Sequence, residues 1–198
     1  MGSGGSLVIL AGGLSRRMGR DKASLPAGDG TLIEHLARRL APVVGETIVA
    51  GGPGRYHLPG VTLVDDSYPG LGPLAGMHAG LRAARYPRVW VVGCDLPDAD
   101  PALASLLYGL AADVDAVVPR IDGEPQGVCA VYDRALASRI ESLLAAGERR
   151  IKMLLKASKV RYVTPEELRV VDPELRSFRN INTPADYQAW LTTQPASP

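Results

Sequence analysis

Short apolar runs alternate along this chain with stretches whose apolar residues recur at helical spacing. The runs at 7–11, 47–50, 61–64, 88–93, 116–118, 128–132 and 160–163 lack polar alternation, which predicts strands covered on both faces. Between them, Thr31-Leu32-Ile33-Glu34 has the form of a capping box. It predicts a helix reaching residue 40, with Ile33, Leu36, Ala37 and Leu40 on one face. Further helices are predicted over 73–84, 101–110 and 134–146. A last one opens where Thr183 caps, Pro184 takes the first turn and Asp186 favours the positive end of the helix. Strands alternating with helices in this way mark βαβ units, so the fold class is α/β with a mostly parallel sheet.

Composition narrows the reading without changing it. A chain of 198 residues with 46% hydrophobic content suits one domain with an ample core. The net charge of +1 supplies no global field for nucleic acid or membranes, so any anion site must be built locally. The longest apolar runs, such as Val89-Trp90-Val91-Val92-Gly93-Cys94, are too short to cross a bilayer. Residues 1–6 match the letters of a myristoylation pattern, but no second anchoring signal follows. They are expected to be a flexible leader, with a single domain over 7–192 and a flexible tail over 193–198. Two cysteines, Cys94 and Cys129, offer no disulfide framework, and their apolar strand contexts suit core thiols in a cytoplasmic, reducing setting.

The first apolar run leads into Gly12-Gly13-Leu14-Ser15-Arg16-Arg17-Met18-Gly19-Arg20-Asp21-Lys22. Glycines without Cβ atoms let backbone N–H groups approach phosphate oxygens, and Arg16, Arg17 and Lys22 supply charge-assisted donors. A surface turn with solvated basic residues is the alternative. A Walker A loop is excluded, because Gly19 is followed by Arg20-Asp21-Lys22-Ala23. Gly70-Leu71-Gly72-Pro73-Leu74-Ala75 has the letters of a dinucleotide fingerprint, but Asp65-Asp66-Ser67-Tyr68-Pro69 separates it from the preceding strand. It leaves an NAD-dependent oxidoreductase as a rival.

The acidic counterpart is Val91-Val92-Gly93-Cys94-Asp95-Leu96-Pro97. A strand that delivers one aspartate at its carboxyl end places it at the rim where open α/β sheets bind ligands. A single carboxylate there suits Mg²⁺, which keeps several waters and takes its other ligands from substrate phosphates. The competing role for Asp95 is to cap the turn before Pro97. Asp65 and Asp66 end another strand, either to reach the same rim or to form an Asx-type turn. His35, His57 and His78 are not grouped for metal binding and are expected to be surface or satisfied core residues; Tyr162 and Trp190 are expected in core or edge packing.

Taken together, the segment from Leu10 to Lys22, Gly72-Pro73-Leu74-Ala75-Gly76-Met77, Cys94-Asp95-Leu96-Pro97, Gly147-Glu148-Arg149-Arg150 and Asn180-Ile181-Asn182-Thr183-Pro184 closely resemble the signature of molybdenum cofactor guanylyltransferases. The resemblance runs in order through nearly the whole chain after the leader, and the first loop and the Asp95 strand are shared with the wider nucleotidyltransferase superfamily. It implies a Rossmann-like three-layer αβα fold. It also implies transfer of GMP from GTP to a molybdenum–molybdopterin cofactor, with release of pyrophosphate.

By the same resemblance, Leu10, Ala11, Gly12 and Gly13 would hold the nucleotide, the first three through backbone contacts around the guanine and ribose. Lys22 would bind phosphates, Asp66 would contact the nucleotide, and Asp95 would ligate Mg²⁺. Lys22 and Arg16 would neutralise charge on the departing pyrophosphate. Asn180 and Asn182 would lie on the molybdopterin side, where Arg149 and Arg150 meet its phosphate; a solvated helix start is the other reading of the two arginines. The implied partners are GTP, the molybdopterin cofactor, and proteins that deliver it or accept the product. One departure is visible: Ala50-Gly51-Gly52-Pro53 lacks an asparagine that relatives often carry after the second strand. Rival activities are a nucleotidyltransferase using CTP or a sugar phosphate, and a nucleotide-sensing domain that has lost turnover.

Overall fold

The computed structural model describes residues 4–11, 21–51, 56 and 58–194. Along the chain, β1 (Ser6–Leu10), β2 (Pro26–Ala27), β3 (Gly30–Thr31), α1 (Leu32–Leu40), β4 (Glu46–Ala50), β5 (Thr62–Val64), α2 (Pro73–Ala83) and β6 (Arg88–Gly93) come first. They are followed by α3 (Pro101–Gly109), β7 (Ala116–Ile121), β8 (Glu124–Pro125), β9 (Cys129–Asp133), α4 (Leu136–Ala145), α5 (Ile151–Lys156), β10 (Val160–Val163), α6 (Pro165–Leu168) and α7 (Pro184–Thr193).

The main sheet has the order β10-β7-β9-β6-β1-β4-β5, with β8 paired antiparallel to β7 off this path. β1 pairs in parallel with β4 and β6, β4 with β5, and β7 with β10. β9 runs antiparallel to both β6 and β7. The unbroken apolar character of the predicted strands is explained by cover on two faces. Leu7 and Ile9 join a core with α1, α3 and α6, whereas Val8 and Leu10 join one with α2, α4 and α5. The result is a three-layer αβα sandwich.

The helix caps follow the sequence closely. Thr31 and Glu34 form the capping box of α1, which buries Leu32, Ile33, Leu36, Ala37 and Leu40. Thr183 and Asp186 form that of α7, with Pro184 opening the helix. Gly5, just ahead of β1, is tied to the fold through its carbonyl, which accepts from Gly45 N–H at 2.8 Å. A third, smaller core joins Leu25, Ala27 and Leu32 to Ile181 and Trp190, and so fastens α7 to α1 and the β2–β3 hairpin. Among the described residues, no helix is long and apolar enough to cross a membrane.

The chain leaves β1 towards β4 on one side and later returns to β6 on the other. The carboxyl ends of β1 and β6 therefore flank the point where the strand order reverses, where α/β sheets open a crevice. Leu10 stands beside Gly93 in the register.

Candidate active site

Two loops leave that crevice, one carrying Lys22 and the other Asp95. Cys94 N–H donates to Leu10 C=O at 3.0 Å, and Ala11 N–H donates to Ala50 C=O at 2.8 Å, so the ladder continues into both loops. Leu10 and Ala11 are buried, and these bonds commit the Leu10 carbonyl and the Ala11 amide to the sheet. A nucleotide contact there must use another backbone group or the second lone pair of the Leu10 carbonyl.

Lys22 opens a single 3₁₀ turn, Lys22–Ser24, whose N-cap is Asp21. Asp21 Oδ1 accepts from Ala23 N–H at 3.1 Å, and its Oδ2 accepts from the Tyr56 hydroxyl at 2.7 Å. With its backbone held, Lys22 directs Nζ to Asn182 Oδ1 at 3.0 Å and to within 3.9 Å of Asp95 Oδ2. The Lys22 and Asp95 side chains are 16% and 28% exposed, shielded enough to act on each other yet open to a ligand.

Asp95 follows Gly93, and that glycine has a reason. A Cβ at Gly93 would stand 2.5 Å from Asp95 Oδ1, so the carboxylate occupies space that any other residue would fill. Burial pushes the Asp95 carboxyl up from its ordinary range, against the opposing pull of Lys22 and of its own backbone N–H. The third contributor comes from far along the chain. Ile181 N–H donates to Asp95 C=O at 2.8 Å, and Asp186 Oδ2 accepts from the N–H groups of Asn182 and Thr183. Trp190 secures this segment, donating Nε1–H to Asp98 Oδ1 at 2.9 Å and meeting the His35 ring edge-on.

The other described candidate residues make contacts close to their own place in the chain. Asp66 Oδ1 accepts from Tyr68 N–H at 2.8 Å, which is the Asx-type turn foreseen as its alternative role. Burial raises its carboxyl pKa, with the Tyr68 N–H working the other way. Asn180 makes a long local bond, Nδ2 to Phe178 C=O at 3.5 Å. Arg149 and Arg150 sit in a turn organised by Glu148, a contact the sequence did not announce. Gly12, Gly13, Arg16, Arg17 and His57 lie outside the described residues.

Other expectations meet mixed outcomes. His35 is satisfied, with Nε2 at 3.2 Å from Pro97 C=O. His78 is a correction: it is 5% exposed and neither ring nitrogen has a partner among the described residues, because α2 turns it against the Tyr68 ring rather than a polar group. Tyr162 lies under the Arg120 guanidinium near the sheet edge, and Trp190 is buried. Cys94 and Cys129 are free thiols, both pushed up to about 12 chiefly by burial.

This geometry coincides with a family match. Residues 7–162 fit the model of the MobA-like NTP transferase domain. The chain belongs to that family. A probable molybdenum cofactor guanylyltransferase of Mycobacterium tuberculosis is 40% identical over 190 residues, spanning 92% of this chain and 90% of that protein. A protein with the same name from Pelotomaculum thermopropionicum is 38% identical over 180 residues, spanning 90% and 88%. Among solved structures, molybdopterin-guanine dinucleotide biosynthesis protein A from Archaeoglobus fulgidus superposes with a TM-score of 0.80 at 30% identity, covering 93% of this chain and 95% of that one. The 2-C-methyl-D-erythritol 4-phosphate cytidylyltransferase of Thermus thermophilus shares the fold at a TM-score of 0.71 and 21% identity, covering 94% and 97%. This MobA-like chain is therefore a nucleotidyltransferase.

Proposed function

We propose that this enzyme transfers GMP from GTP to a molybdenum–molybdopterin cofactor, giving the guanine dinucleotide cofactor and pyrophosphate. The observation that carries the reading is the convergence of Lys22, Asp95 and Asn182 at the β1/β6 switch point. The guanylyltransferase names of relatives up to 40% identical select the substrates. The reaction runs in the cytoplasm, in keeping with the two free thiols.

An oxygen of the pterin's phosphate attacks the α-phosphorus of GTP, and the bond to the bridging oxygen of the β-phosphate breaks in line. Such a reaction needs positioning and charge stabilisation more than a covalent nucleophile. Cys94 and Cys129, held as protonated thiols, supply none. Lys22 has three N–H donors. Asn182 takes one, which aims the ammonium and leaves the others for phosphate oxygens. Arg16 adds a second cation from the glycine loop.

The donor set fits Mg²⁺. Asp95 presents a single hard carboxylate, the kind of donor that suits Mg²⁺ alongside water and substrate phosphates. Asp95 would hold the ion, which would supply charge neutralisation on the triphosphate and Lewis-acid polarisation of the phosphorus under attack. Asp66 contacts the nucleotide from the end of β5. On the acceptor side, Asn180, Asn182, Arg149 and Arg150 receive the pterin and its phosphate.

Pyrophosphate release measured with GTP, CTP and ATP, each with and without molybdopterin, tests the proposal. Release that requires both GTP and molybdopterin supports it. A preference for CTP, or release with a sugar phosphate as acceptor, would replace it.

A further inference from the structure

The turn between α4 and α5 holds an arrangement that phosphate binding alone does not require. The Glu148 carboxylate accepts four hydrogen bonds. Oε1 takes the N–H groups of Arg149 and Arg150 and the Arg150 Nε–H, each at 2.9 Å, while Oε2 takes Arg150 Nη2–H at 2.7 Å. The Glu148 side chain is only 18% exposed, whereas that of Arg150 is 74% exposed. These bonds, that from the Arg150 side chain foremost, hold the Glu148 carboxyl down to about 2.

A guanidinium is a planar fork with two usable edges. Glu148 occupies the edge formed by Nε and Nη2. The edge formed by Nη1 and the outer N–H of Nη2 therefore faces away from Glu148. With one carboxylate against the two guanidiniums of Arg149 and Arg150, the turn keeps a net positive charge.

Packing ties this turn to the site. Gly127 lies so close to Ile151 that an added Cβ would stand 2.7 Å from Ile151 Cγ2. The next residue, Val128, accepts the Gly93 N–H at 2.8 Å, and Gly93 is two positions from Asp95. Glu148, Arg149 and Arg150 directly precede Ile151, so the turn lies beside the segment that pairs with the end of β6.

We infer that Glu148 is a positioning residue for the acceptor substrate: it fixes Arg150 so that the outer guanidinium edge meets a phosphate of the acceptor bidentately. An exposed arginine otherwise surrenders rotamer freedom when it binds, and a pre-aimed one surrenders less. This inference rests on the guanylyl-transfer reading, which supplies a phosphate-bearing acceptor.

Steady-state kinetics with GTP and molybdopterin varied in turn provide the test, on wild type, Glu148→Ala, Glu148→Gln, Arg150→Ala and the double variant. Glu148→Ala is expected to raise the acceptor KM about tenfold, as for the loss of one preorganised charged contact, with the GTP KM and kcat nearly unchanged. Glu148→Gln, which keeps an acceptor oxygen, is expected to recover part of that loss. In the Arg150→Ala background, removing Glu148 is expected to add nothing. ¹⁵N NMR is expected to show the Arg150 Nε–H resonance in the wild type and its loss by exchange in Glu148→Ala. Equal effects on both substrates, or undiminished effects of Glu148→Ala without Arg150, would overturn the inference. Failure of the wild type to release pyrophosphate with GTP and molybdopterin would instead overturn the functional reading, and the inference with it.

Discussion

The backbone N–H of Ile181 donates to the carbonyl of Asp95 at 2.8 Å, joining the last segment of the fold to the loop that carries the acidic residue of the site. The next residue, Asn182, accepts a hydrogen bond from Lys22. A peptide segment remote in sequence thus fixes both the anion and the cation of the crevice.

Trp190 holds that segment in place. Trp190→Ala empties a buried site and leaves Asp98 without its indole donor. A loss of about 3–5 kcal/mol is expected, as for other buried Trp→Ala changes. Urea unfolding monitored by circular dichroism checks it; a loss near zero would mean that α7 is not anchored through this ring.

Lys22→Ala and Asp95→Asn should each lower turnover by about 10²–10³, the usual loss for one preorganised electrostatic contact. Circular dichroism should remain that of the folded enzyme, since neither side chain belongs to a hydrophobic core. Turnover near normal in either variant would remove that residue from the assigned role.

Asn182→Ala deprives Lys22 of its one side-chain hydrogen-bond acceptor among the described residues. A hydrogen bond to a charged group contributes about 1.5–3 kcal/mol, so kcat/KM for GTP is expected to fall about 10–100-fold. Asn182→Asp should behave differently, because a second carboxylate beside Asp95 competes for Lys22.

Gly93→Ala tests the space around the carboxylate. An added Cβ would approach Asp95 Oδ1 to 2.5 Å, so the side chain must move. Misplacement of a reacting group by about 1 Å costs on the order of 10²-fold in rate, and kcat should fall by roughly that amount. A fully active Gly93→Ala enzyme would show that Asp95 need not occupy this position.

The thiols give a pH prediction. Burial raises Cys94 and Cys129 from the ordinary 9.0 to about 12, so the folded protein binds their protons more tightly than the unfolded chain does. Their contribution to stability is fully present below pH 9.0 and is lost as pH rises towards 12. Iodoacetamide should label neither in the native enzyme near neutral pH and both in urea, as read by mass spectrometry. Rapid native labelling of Cys129 would contradict its burial.

Much of this was legible in the residues, because local rules and burial agreed. Thr31 with Glu34 and Thr183 with Asp186 marked their helices, and the apolar runs marked the central strands. The direction of β9 was not legible, since an apolar run such as 128–132 reads alike both ways. α5 and α6 are too short for periodicity to reveal, although Thr164 and Glu167 do form a capping box that the residues spelled out. The strand-end position of Asp95 was readable from β6 alone. The bond from Lys22 to Asn182 was not, because it depends on where the third core docks α7. Nor was the Glu148 fork, whose four bonds resemble an ordinary surface ion pair in sequence.

If Lys22 and Asp95 grip one metal-bound triphosphate together, losing both should not cost the sum of losing each. Calorimetric titration of Mg²⁺–GTP into wild type, Lys22→Ala, Asp95→Asn and the double variant tests it most directly. Residues acting on a shared ligand should couple by about 0.5–3 kcal/mol, so the double variant should bind more tightly, or more weakly, than the two single losses sum to. Strictly additive losses, or wild-type affinity in either single variant, would contradict the account.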